Sequence, residues 1–155
     1  MSWPAALGVR PLETREAYDA LEAYGAEYGR EPLLLLMHAS VPETLRADLL
    51  HLIRVNFMPG DNDLSLEADV LLAPLTTALG GGYYRIDAQV RWHALTLLRS
   101  MYRGDARSRQ VRVAELLWRH LDQLTTHGAA EGDPALAEYI EVQRWVALAT
   151  LQPEA

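Results

Sequence analysis

The sequence predicts an all-α fold, a single compact bundle of about five to seven helices with one short extended segment near residues 83–86. Three observations carry this expectation. Apolar residues recur at three- and four-residue spacing over most of the chain, which lines them along one face of a helix. The segments marked in this way are separated by Gly, Pro, Asp and Ser at the positions where helices start and stop. The length of 155 residues, half of them apolar, suits one domain with one core. The domain is expected to span residues 1–155, irregular over 1–10 and ending in a tail over 152–155.

In chain order, the first helix is expected from about Pro11 to Tyr28. There Ala17, Tyr18, Leu21, Tyr24 and Tyr28 share a face, and Gly29 can end the helix. Pro32–Ala39 carries Leu33, Leu34, Leu35, Leu36 and Met37 without a polar break, so it reads as a segment buried on all sides. Leucine without β-branching favours helix over strand. Ser40-Val41-Pro42-Glu43 has the pattern of a capping box, with Pro42 in the first turn, and opens a helix to about Phe57. Met58 to Asp63 is a turn-rich break, after which Ser65 starts a helix through Leu79 that Pro74 kinks or divides. Gly80-Gly81-Gly82 ends that helix, and Tyr83–Ile86 is extended. Asp87 then caps a helix to about Tyr102. A polar linker, Arg103–Arg109, leads to a helix over about Gln110–Thr126, closed by Gly128. Asp133 and Pro134 open the last helix, whose wide apolar stripe includes Leu136, Tyr139, Ile140, Val142, Trp145, Val146 and Leu148.

Composition works by exclusion. Twenty-one acidic residues against fourteen basic ones leave a net charge of -7, which disfavours a dedicated nucleic-acid binder. All fourteen basic residues are arginine, so Schiff-base chemistry and a Walker-type phosphate lysine are absent. The lack of cysteine removes disulfides, thiolate catalysis, cysteine zinc sites and iron–sulfur clusters. Met1–Val9 shows no basic start followed by an apolar run, and Leu33–Met37 is too short to cross a bilayer, so a cytoplasmic protein without membrane association is expected.

The chemistry-bearing residues form no assembled motif. His38, His51, His93, His120 and His127 have no metal-ligand spacing. Asp61, Asp63, Ser65 and Glu67 alternate like the start of a calcium loop, but Leu66 stands at the turn-glycine position and Leu72 at that of the bidentate glutamate. The triple glycine lacks a following lysine and a strand-to-helix setting, so it reads as a flexible connection. Glu67, Asp69 and Asp87 could supply acid/base chemistry, but capping or solvated roles suit them better. No catalytic residue, metal ligand or cofactor is assigned.

Charge is segregated along the chain. Residues 85–121 hold eight arginines against three acids, a balance of +5, while the stretches 1–31, 32–84 and 122–155 are negative. Arg99, Arg103, Arg107, Arg109 and Arg112 cluster around one connection, facing either a partner or the acidic stretches of their own chain. Trp92 and Trp118 fall off the main stripes of their helices and are candidate interface anchors. These seven residues form the expected partner-binding set.

The run Asp48-Leu49-Leu50 to Phe57, then Glu67-Ala68-Asp69-Val70-Leu71-Leu72-Ala73-Pro74-Leu75, then Tyr84 through Asp87 to Val90-Arg91, resembles a helical region of bacterial multidomain conflict-system proteins. In such proteins similar segments accompany STAND-type NTPases, caspase-like or trypsin-like proteases, formylglycine-enzyme-like domains and repeat scaffolds, including systems related to vWA–MoxR-associated proteins. The resemblance covers roughly residues 33–98, and the triple glycine departs from it. It implies a non-catalytic adaptor or regulatory subunit that binds a larger NTPase or protease effector in a bacterial defence or signalling system. The alternative is a helical nucleic-acid-associated module using the Arg99–Arg112 region. Oligomeric state is left open.

Overall fold

The computed structural model describes residues 13–60, 63–104 and 108–152, which form seven helices and a small three-stranded antiparallel sheet. Helix α1 (Thr14–Tyr28) is opened by a capping box between Glu13 and Glu16 and turns Ala17, Leu21 and Tyr24 inward. Its buried face is narrower than expected. Tyr18 and Tyr28 are partly exposed, and Tyr28 stacks on Tyr24 instead of entering the core.

Gly29, at φ 98°, both ends α1 and starts α2 (Arg30–Ala39). Helix α2 is the hub of the bundle, packed by α1, α3 (Ala47–Phe57), α4 (Ser65–Leu71) and α5 (Ala88–Met101). Enclosure on so many sides is why its leucine run lacks polar interruption, and Leu35, Leu36, Met37 and Ala39 are all buried. Each fully buried leucine contributes about 2 kcal/mol of transfer free energy.

Two expectations fail here. Ser40 does not open a helix. It closes α2, its hydroxyl donating to the Leu36 carbonyl at 2.8 Å. Glu43 is instead ion-paired with Arg85, and Leu45–Arg46 forms strand β1, so α3 begins only at Ala47. A decisive long-range bond is made by Arg91, whose guanidinium donates to the Ser40 and Val41 carbonyls at 2.7 and 2.8 Å. Those carbonyls are therefore satisfied without a helical turn.

The second failure is the helix expected through Leu79. Helix α4 stops at Leu71 and Pro74 divides the segment completely, after which Thr76–Gly80 becomes strand β2. Gly81 and Gly82, at φ 66° and 88°, make the two-residue turn into β3 (Tyr83–Ile86). Positive φ at both central residues is what a tight hairpin of this hand demands. The glycines are thus a hairpin turn rather than a loose connection. Strand β3 is central, pairing Leu45 with Tyr84 on one edge and Thr77 with Arg85 on the other.

The remainder follows the expected punctuation. Asp87 accepts from the amides of Gln89 and Val90 to cap α5, and Ser108 accepts from Val111 to cap α6 (Arg109–Thr126). Asp133 accepts from Leu136 to open α7 (Pro134–Leu151). Helices α6 and α7, joined by residues 127–133, pack against each other as a hairpin.

Candidate functional site

A groove of about 700 Å³, lined mainly by apolar surface, lies between α6 and α7. Its α7 wall is a helical rail of Ala137, Ile140, Trp145 and Leu148, and its α6 wall is Trp118. Trp145 is 69% exposed, while Trp118 is half-buried with the Arg144 guanidinium 5.9 Å from its ring. Arg144 also lines the groove, its guanidinium held by donating to Thr125 at 3.1 Å and to Asp122 at 3.4 Å. Glu131 and Glu141 complete the polar rim.

Trp145 is the residue that sequence reasoning missed. Spacing puts it in the wide apolar stripe of the last helix, yet the core face of α7 is Leu136, Tyr139, Ile140, Gln143 and Ala147. The buried polar member explains the shift. Gln143, 1% exposed, accepts the Glu43 amide at 3.0 Å across the structure, which turns Trp145 outward. The available signal was that α7 carries apolar residues nearly all round, more than one packed face can use.

The seven expected partner-binding residues are not brought onto one surface. Trp92, 57% exposed, sits in a separate hollow with Thr14, Gln89 and Leu95, and its ring meets His93 edge-on. Helical spacing places Trp92 and Arg99 along one stripe of α5, and Arg103 lies in the turn just after the helix; all three are exposed. Arg109 is drawn inward, its guanidinium 3.8 Å from the centre of the Tyr102 ring and 5.7 Å from that of Phe57. Arg112 lies 5.7 Å from the Phe57 ring centre. Phe57 and Tyr102 end α3 and follow α5, so these two cations also lie where helix C-termini favour positive charge. Arg107 lies outside the described residues, as do Trp3, Asp61 and Asp105.

The polar clusters elsewhere are built as ties. Arg54, 5% exposed, donates to Glu67 at 2.5 Å, and His51 Nδ1 lies 3.0 Å from the same oxygen, joining α3 to α4. Burial pushes the Glu67 carboxyl up, but the Arg54 and His51 contacts outweigh it and hold it below the usual carboxylate range. Asp48 behaves alike. Burial is outweighed by His120, Arg46 and the Leu49 amide. Neither carboxyl is therefore poised as a general acid near neutrality. Asp69 receives the Tyr24 hydroxyl on its backbone carbonyl, and Asp87 is a cap.

A second hollow of about 450 Å³ lies between the glycine turn and α7. The Glu43–Arg85 pair and Gln143 line it and bond to one another. Tyr139 in the same wall has a buried hydroxyl without a hydrogen-bond partner among the described residues. Burial first, then the Asp48 charge, raises its pKa. Among the described residues no three His, Asp or Glu side chains converge as metal ligands do, and no helix is long and apolar enough to cross a membrane.

Compared with family models, curated proteins and solved structures, the chain matches none.

Proposed function

We propose that the protein is a non-catalytic adaptor or regulatory subunit that docks a larger partner protein in the α6–α7 groove. The observation that carries this reading is the groove itself, walled by Trp118 and by a Trp145 that is 69% exposed at the surface of a helix with a well-formed core face. Large aromatic side chains lying in the open cost solubility and are the usual anchors of protein interfaces. The ion pairs of Glu67 with Arg54 and of Asp48 with Arg46 support the absence of a catalytic role. On the resemblance of residues 33–98, the partner is an NTPase or protease effector of a bacterial defence or signalling system, and the protein acts in the cytoplasm.

The test is complex formation with purified products of neighbouring genes, followed by gel filtration. A complex that is lost on Trp145→Glu, with the variant still folded, supports the reading. A complex indifferent to Trp145→Glu and Trp118→Ala removes it.

One observation favours a second reading as a nucleic-acid-associated module. Arg99 lies on an exposed α5 stripe with Trp92, Arg103 is exposed in the turn that follows, and neither arginine has an ion-pair partner among the described residues. Binding to nucleic acid that falls steeply with salt and is abolished by Arg99→Ala with Arg103→Ala would establish it.

A further inference from the structure

We infer that the occupant of the α6–α7 groove is an amphipathic helix whose ends carry basic residues. This rests on the docking reading above and adds the chemistry of the docked element. Backbone geometry selects the helix. Both walls are α-helices whose amides and carbonyls are bonded within the helix, so the groove has no sheet edge onto which an extended peptide could add a strand. Affinity must come from side chains inserted between Trp118 and the rail of Ile140, Trp145 and Leu148. From Ala137 to Leu148 the rail rises about 16 Å, the length of about three helical turns. A helix laid there presents two or three apolar anchors from one face and completes a three-helix unit with α6 and α7.

Charge selects the flanks. Between Asp122 and Gln152 the sequence holds five carboxylates and a single arginine, and that arginine is engaged by Asp122 and Thr125. Glu131 and Glu141 are left on the groove rim as exposed carboxylates. Lys or Arg beside the apolar anchors meets complementary charge there, while acidic flanks meet repulsion.

The probes are helical peptides free of tryptophan, about four turns long, with identical leucine anchors and flanks of Lys, Gln or Glu, beside a proline-rich peptide. Binding is read from the indole N–H signals of the intact protein by nuclear magnetic resonance. The Lys-flanked helix should shift the Trp118 and Trp145 signals, leave Trp92 unmoved and bind roughly tenfold tighter than the Glu-flanked one at low salt. The difference should shrink at about 0.5 M salt and on combining Glu131→Gln with Glu141→Gln. Equal or tighter binding of the Glu-flanked helix, or binding of the proline-rich peptide alone, overturns the inference and leaves the docking reading standing. Concentration-dependent shifts of Trp118 and Trp145 without any peptide make a second copy the occupant and overturn it too. If no peptide moves these signals and the partner complex survives Trp145→Glu, both fall.

Discussion

Replacing His38 by glutamine or phenylalanine should flatten the dependence of stability on pH between neutrality and pH 5. His38 is fully buried in α2, its Nδ1–H donating to the Leu34 carbonyl at 2.8 Å while Nε2 has no hydrogen-bond partner among the described residues. Its ring lies 5.3 Å from Phe57 and 5.8 Å from Tyr102, with Arg109 and Arg112 beyond them. Burial lowers its pKa to about 4; the Leu34 bond opposes this, and the charges of Arg109 and Arg112 reinforce it. The unfolded ring takes its proton near pH 6.5, so between these values the unfolded chain binds more protons and stability falls with pH. From pH 7 to pH 5 the loss is about 2 kcal/mol. Below pH 4 the His38 contribution to the slope ends. There the stabilisation from Asp48 and Glu67, both held low, is lost as they protonate. Urea unfolding at pH 7, 6 and 5 reads this directly, since each protein is compared with itself and any packing defect of the variant cancels. Identical slopes in the natural protein and both variants would refute the burial argument.

Three further outcomes follow from the fold. Arg91→Met should cost about 2 kcal/mol in urea unfolding, because the Ser40 and Val41 carbonyls lose their charged donor. Gly82→Ala should cost about 1 kcal/mol, because φ 88° is unfavourable for a residue with a Cβ although nothing lies within 4 Å of it. Trp145→Ala should change stability by no more than about 0.5 kcal/mol, which thermal unfolding can check. A large loss would mean that this side chain serves the core.

The helices were legible wherever their signals were local. Asp87, Ser108 and Asp133-Pro134 each combine a side-chain acceptor with the start of an apolar period, and the caps form as the residues indicate. What was not legible depends on partners far away in sequence. Ser40 to Glu43 reads as a capping box in isolation, but Arg91, Arg85 and Gln143 claim its carbonyls, its carboxylate and its Glu43 amide from 42 to 100 residues downstream. Likewise, the strand character of Thr76–Gly80 arises only when the glycine turn brings Tyr83–Ile86 against it. The arginine cluster was legible as a composition, but its division was not. The contact with Tyr102 takes Arg109 inward, Arg112 stays exposed beside the Phe57 ring, and Arg99 and Arg103 lie outside without such contacts. Trp118 was legible as a side chain off the main stripe. The exposure of Trp145 depended on which face Gln143 takes.

The most direct measurement of the central claim is site-specific photo-crosslinking with purified neighbouring-gene partners, a benzophenone amino acid replacing Trp145 in one protein and Trp92 in another. The α6–α7 docking account predicts crosslinks to the partner from position 145, mapping to one helical segment of it, and none from position 92. A complex that crosslinks from position 92 and stays silent at 145 would contradict it.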